Sequence, residues 1–154
     1  MPNWCNNIVV FTCSKVKERK LKKLFTDLAK KEKKEDKGQL PEFFNSEDGF
    51  LFSIRWEDGV LYYDTRWSPN IDVMVAIAEH FVVDFTYEYS ELMMQVYGEF
   101  TFIKGVLKDY SLDTEDFDQF DVNPDDEDTY IFEDKVYESD FEILDILLAR
   151  KKTD

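Results

Sequence analysis

The stretch from Phe50 to Trp67, FLFSIRWEDGVLYYDTRW, constrains the fold more than any other part of the chain. Phe50, Phe52, Ile54 and Trp56 fall on alternate positions, the period that puts side chains on one face of a strand. Asp58-Gly59 then interrupts the run. Asp-Gly between two such runs signals a two-residue hairpin, because a type I′ turn needs positive φ at both central positions. With only those residues in the loop, Glu57 faces Val60, Trp56 faces Leu61, Ile54 faces Tyr63, Phe52 faces Thr65 and Phe50 faces Trp67. One face of the hairpin is then apolar and turned to the core. The other carries Leu51, Ser53, Arg55, Tyr62, Asp64 and Arg66.

The flanking segments supply partners for that face. A β-branched run predicts a strand at Asn7 to Thr12. Ser14 can cap a helix of about 20 residues whose Leu21, Leu24, Phe25 and Leu28 keep i, i+3, i+4, i+7 spacing. Lysines fill its other faces, as a solvated surface or as a dock for the acidic C-terminal region. Gly38 to Pro41 breaks the chain before an irregular or helical piece at Glu42 to Asn45. After the hairpin, Ser68 and Pro69 read as N-cap and first residue of a second helix, with Asp72 in its first turn and Ile71, Met74, Val75, Ala78, Phe81 and Val82 as its stripe. Val83 to Ser90 alternates, with Val83, Phe85, Tyr87 and Tyr89 inward. A turn at Leu92 to Met94 leads to a strand over Gln95 to Ile103, with Val96, Gly98, Phe100 and Phe102 inward and Tyr97, Glu99 and Thr101 outward. Gly98 inside a strand predicts a bulge or a close backbone approach. Ten acids and Pro124 between Asp109 and Asp128 predict a loop or loosely ordered segment. Tyr130 to Phe132 reads as a short strand, and Ser139-Asp140-Phe141-Glu142 as a capping box opening a final apolar helix.

Composition excludes several classes. A chain of 154 residues, 44% hydrophobic with 14 Phe and 8 Tyr, fills one domain core. No window reaches the roughly 18 apolar residues of a membrane span, and no secretion signal is seen, so a cytoplasmic location is expected. Cys5 and Cys13 lie about 26 Å apart on an extended strand, too far for a disulfide. One histidine and no CxxC leave no metal site to expect. Asp121-Val122-Asn123-Pro124-Asp125 opens like a calcium loop, but Asp126 replaces the required Gly and Phe132 the bidentate Glu. His80 is the one conventional base and falls near a helix end, so neither a catalytic set nor a cofactor is expected and the reading is of a protein that is not an enzyme. The net charge of −15 is uneven: Ser14 to Lys37 holds 11 Lys or Arg against 5 acids, Asp109 to Asp145 16 acids against Lys135. Such a chain repels phosphate at long range, so nucleic acid is not an expected partner.

The order strand, helix, hairpin, helix, strand, strand is an α+β, ferredoxin-like β-α-β-β-α-β arrangement with an additional strand: one antiparallel sheet, helices on one face, and an acidic C-terminal extension ending in a helix. Met1-Pro2-Asn3-Trp4-Cys5-Asn6-Asn7 before a strand, Thr65-Arg66-Trp67-Ser68-Pro69 at a strand-to-helix junction, and Glu91, Gly98 and Gly105 at fixed spacing resemble the YubB-like ferredoxin-like family of largely uncharacterised bacterial, plasmid and phage proteins. The resemblance covers about residues 1–107, with 108–154 an extension packed on the same domain. It departs from the pattern at Cys13 and Leu92-Met93, and it implies a fold but no activity.

Trp4 and Trp67 read as core anchors, Trp67 by the hairpin register and Trp4 by covering one end of the sheet, with the Asn residues satisfying backbone groups. The functional alternative places Asn3, Trp4 and Asn6 beside Trp67 and Pro69 as a rim for a ligand or peptide, with Arg55, Tyr62, Asp64 and Arg66 on the outward sheet face as a contact surface. A protein-interaction domain is the leading expectation. The alternatives are an acidic mimic of DNA that blocks a nucleic-acid enzyme, an enzyme of unrecognised type, and an RNA-binding domain whose outward aromatics would be Tyr62 and Tyr97.

Overall fold

The structure, a computed structural model, describes residues 3–153; Met1 and Pro2 of the opening motif lie outside the described residues. Strand β1 (Trp4–Thr12) leads to helix α1 (Lys15–Glu35), the hairpin β2 (Phe52–Glu57) and β3 (Val60–Arg66), helix α2 (Ile71–Phe81) and strand β4 (Asp84–Glu91). These pair in the order β2-β3-β1-β4, all neighbours antiparallel, which is the ferredoxin-like arrangement. Strands β5 (Val96–Ile103) and β6 (Val106–Ser111) extend the sheet from β4, so it has six strands where one addition was expected.

Local chemistry explains the helix positions. The Ser14 hydroxyl accepts the Lys17 N–H at α1, and Leu21, Phe25 and Leu28 are buried against the sheet. Helix α2 starts two residues later than Ser68-Pro69 suggests, with Asn70 at the N-cap and no side-chain capping bond. The Asn70 amide is engaged elsewhere. Both helices pack on one face with Val9, Leu61, Tyr63, Phe85, Tyr87 and Phe100 in a single core.

The hairpin departs from its expected register at one point. Asp58 (φ 50°) and Gly59 (φ 80°) make the turn, and Glu57↔Val60, Trp56↔Leu61 and Arg55↔Tyr62 follow. A bulge then shifts the pairing so that Phe52 faces Asp64, not Thr65. Ser53, at φ 51°, absorbs it in the left-handed region. Its N–H and that of Ile54 both donate to the Glu32 carboxylate of α1, at 2.6 and 3.1 Å, so a side chain from another element holds the strained turn. Beyond the bulge every side chain changes face. Leu51, expected outward, is fully buried and bridged to Gln39, while Phe52, expected inward, lies on the outer face.

The acidic segment is folded, not a loop. After β6 come a short helix α3 (Thr114–Phe117), a three-stranded sheet of β7 (Asp121–Asn123), β8 (Asp126–Phe132) and β9 (Lys135–Tyr137), and helix α4 (Asp140–Thr153). Asp113 and Asp116 form a capping box at α3, so two of the acids do local structural work. Phe132, Ile143, Leu144, Leu147 and Leu148 build a second core with Tyr97 and Tyr110 against it. Helix α4 starts where expected, although Ser139 accepts only the Phe141 N–H. Its Lys152 pairs with Glu99 at 2.6 Å and its Asp145 accepts the Tyr97 hydroxyl. Glu99, expected outward in water, is therefore buried. The C-terminal lobe covers the β4–β6 end of the outer face, on the side opposite α1, so it does not dock on the lysine-rich helix.

Candidate functional site: the Trp67 groove

The two sequence motifs meet in a buried polar network. From β1, the Asn7 side-chain N–H groups donate to Cys5 O (3.1 Å), Tyr63 O (3.2 Å) and Thr65 Oγ1 (3.0 Å). The Tyr87 hydroxyl donates to Asn7 Oδ1 at 2.7 Å. The Tyr63 hydroxyl donates to Asn70 Oδ1 at 2.6 Å, and Asn70 Nδ2 to Gly49 O at 2.8 Å. Thr65 Oγ1 donates to Ser68 O at 2.7 Å. Among the described residues no buried side-chain polar atom lacks a partner, the condition under which such a network rigidifies a core. It fixes the path from Thr65 to Asn70 and holds the 46–49 loop beside it.

On that path the chain sets Trp67 outward. Trp67 has φ 69°, its N–H donates to Asn3 O at 2.7 Å, and its side chain is 50% exposed. Trp4 is 42% exposed. The core-anchor reading of both is overturned: Trp67 follows the last residue of β3 and its left-handed backbone takes it off the inward alternation of Leu61, Tyr63 and Thr65, and Trp4 alternates with buried Cys5 and so faces outward on β1. Trp4 packs edge-on against Phe52 at 5.0 Å, and the Arg66 guanidinium lies 4.8 Å above the same ring.

Beside Trp67 opens a groove of about 530 Å³. Phe44, Phe50, Phe52, Trp67 and Pro69 give it apolar walls. Glu47, Asp48 and Asp72 stand along it with Arg66. The structure thus brings together Trp4, Arg66, Trp67 and Pro69 through Phe52, with Asn3 contributing its carbonyl. Asn6, Arg55, Tyr62 and Asp64 lie apart from the groove on the outer sheet face. There Arg55 stacks on Tyr62 at 5.4 Å, and Asn6 pairs in register with Asp64. Burial raises the Asp64 carboxyl above its usual range against the pull of Arg55. Asn6 also lines a second groove, of about 410 Å³, beneath α4, where burial and then Glu99 raise Glu88. Sequence reasoning gives the opening asparagines the task of satisfying backbone groups, as Asn7 does for the Cys5 and Tyr63 carbonyls, but it misses Phe52 and Asn70. A polar residue directly after Ser68-Pro69 was the available sign for Asn70; nothing local marks Phe52.

The network has a pH signature. Burial pushes Cys5 up from 9.0 to about 11. Burial raises Tyr87 and Tyr89 above the usual tyrosine range and Tyr63 well above it, with Tyr87 adding to the shift of Tyr63. Each folded value exceeds the unfolded one, so the unfolded chain sheds these protons first and stability falls as pH rises, from about 9 for the thiol and about 10 for the phenols. Tyrosinate absorbance should therefore lag for part of the 8 Tyr and then rise together with the loss of far-ultraviolet circular dichroism. Full ionisation near pH 10 with helices intact would contradict the network.

Among the described residues no cluster of His, Cys, Asp and Glu could hold a metal ion, and no helix is long and apolar enough to cross a membrane. A β2-β3-β1-β4 antiparallel sheet under two helices defines a ferredoxin-like α+β protein. Residues 43–139 match the family described as "Ferredoxin-like domain in Api92-like protein", and with more than half of its length matched the chain belongs to that family. The matched part contains the groove walls and the C-terminal three-stranded sheet. No curated protein and no solved structure matches the chain.

Proposed function

We propose that the chain is a non-enzymatic protein-interaction domain and that the Trp67 groove holds a segment of a partner protein. The observation that carries this is Trp67 itself. Left-handed backbone costs a residue with a side chain about 1–3 kcal/mol, and such strain collects at binding sites. Here it presents an indole to water at the mouth of an apolar groove, and a half-exposed tryptophan of this kind is a common anchor of protein contacts. The one histidine supports a non-enzymatic reading: His80 lies exposed in the last turn of α2, its ring stacked on Phe43 at 3.9 Å. The narrower likeness to YubB-like proteins, an origin in bacteria or their mobile elements, and a cytoplasmic location belong to the same proposal.

Selection of a random peptide library on the intact chain tests it. Enriched peptides should bind Trp67→Ala at least about tenfold more weakly, while the melting temperature moves by less than about 3 °C because the indole is half in water. Peptides that bind both proteins equally, or no enrichment, would remove the reading.

A second reading, an acidic mimic of DNA, gains from the order of the β7–β8 hairpin, where Asp125, Asp126, Glu127 and Asp128 are exposed on folded backbone. Changing all four to amides should abolish inhibition of a nuclease by the chain; undiminished inhibition rejects it. RNA binding has less support, since the Tyr97 hydroxyl is bonded to Asp145 of α4.

A further inference from the structure

We infer that the segment seated at the Trp67 groove is cationic, carrying lysine or arginine between apolar residues. This rests on the groove being a protein-binding site and adds the chemistry of its occupant.

The groove offers both halves of a cation receptor. The half-exposed Trp67 indole and the Phe50 ring are π-surfaces, and a cation over an aromatic face is attracted by the ring quadrupole. The wall already shows that geometry, with the Arg66 guanidinium 4.8 Å above Phe52. Around these rings stand Glu47, Asp48 and Asp72, all exposed, against that single guanidinium. Arg66 keeps its charge while stacked on Phe52, so three carboxylates against one guanidinium leave the groove net negative, with Asp48 Oδ1 also accepting the Ser46 hydroxyl. The start of α2 has the opposite sign, about half a positive charge, which is met in part by Asp72 in that first turn, so Glu47 and Asp48 carry the larger share of the groove's attraction for a cation. An anionic segment would meet three carboxylates. A purely apolar one would strip water from them without return. Beyond the groove, the net charge of −15 draws cations in at long range.

The test is a ¹⁵N–¹H NMR titration of the whole chain with three blocked peptides, acetyl-Leu-Arg-Leu-amide and its Gln and Glu counterparts. The Arg peptide should shift the Trp67 indole N–H and the amides of Gly49, Phe50 and Ile71, and bind about tenfold more tightly than the Gln peptide at low salt, with the Glu peptide weakest. That gap should shrink severalfold near 0.5 M salt, where the Debye length is only about 4 Å. In Asp48→Asn/Asp72→Asn, whose changes are on the surface, the gap should close to about twofold with the free spectrum otherwise retained. Equal binding of the Arg and Gln peptides would overturn the cationic inference and leave the groove reading standing. A preference for Glu, or shifts confined to the acidic β7–β8 hairpin, would also overturn it. If no peptide moves the Trp67 indole, the groove reading falls with it.

Discussion

Gly98→Ala is expected to cost about 3 kcal/mol, the upper end of what overpacking a core does. Gly98 lies on the inward face of β5, opposite Tyr89 of β4 and Ser111 of β6. A Cβ there would stand 2.5 Å from Tyr89 Cζ and 2.6 Å from the backbone oxygen of Tyr110, with the Tyr89 hydroxyl nearer still. Neither neighbour can yield cheaply. The Tyr89 ring packs on Phe100 at 4.9 Å and its hydroxyl donates to Asp109 at 3.0 Å, while the Tyr110 oxygen belongs to the strand that carries the chain into the C-terminal lobe. A loss of this size lowers the melting temperature by about 6–12 °C in a chain of this length. Tyr89→Leu in the same chain should return part of the loss, because it removes the ring while the strand contact stays. A melting temperature within about 2 °C of the parent would show that β6 is not held as closely as described.

The glycine's role could be read from the sequence, because an alternating strand offers no reason for a residue without a side chain except a close neighbour. The same local rules place Ser14 at a helix start, order Phe85, Tyr87 and Tyr89 inward, and set the Asp58-Gly59 turn. They fail where a distant residue decides. Ser53 in left-handed backbone has no sequence signature, since its stabilising carboxylate, Glu32, comes from α1. A single bulge then inverts Leu51 and Phe52. The acidic segment fails for a related reason. Its aromatics Tyr110, Phe117 and Phe120 are too sparse to suggest a core alone, but helix α4 supplies the aliphatic half of it.

The candidate site was legible as a pair of motifs and illegible as a surface. Of the rim expected from Asn3, Trp4, Asn6, Trp67 and Pro69, Asn6 lies apart in the second groove, and the others gather around Phe52, which the unbroken alternation puts inside. Residues chosen for the outward face divided instead: Arg66 went to the groove, and Arg55, Tyr62 and Asp64 stayed on the sheet. What the motifs encode most directly is the buried network that shapes the Thr65-to-Asn70 path.

That network makes Asn7→Asp the substitution with the largest expected effect. The Asn7 amide is 1% exposed and both its atoms are used, the nitrogen as donor to two backbone carbonyls and a hydroxyl, the oxygen as acceptor from Tyr87. Alanine would leave a small cavity and lose these bonds, costing about 3 kcal/mol, although Tyr87 keeps Tyr63 and Asn70 and Thr65 keeps Ser68 as partners. Aspartate is worse at neutral pH. It sets carboxylate oxygens against the Cys5 and Tyr63 carbonyls with no cation in the network, so the charge is buried and unpaired, at a cost of about 4 kcal/mol or more. Burial and the facing carbonyls would raise its folded pKa above the unfolded value. Its penalty is then relieved as pH falls and grows as pH rises through the carboxylate range. Urea unfolding should therefore show Asn7→Asp more stable at pH 5 than at pH 8, whereas Asn7→Ala should show no such difference beyond the parent's own. Equal stability of the two variants at pH 8 would mean that water reaches Asn7, and that the path presenting Trp67 is held by something other than this network.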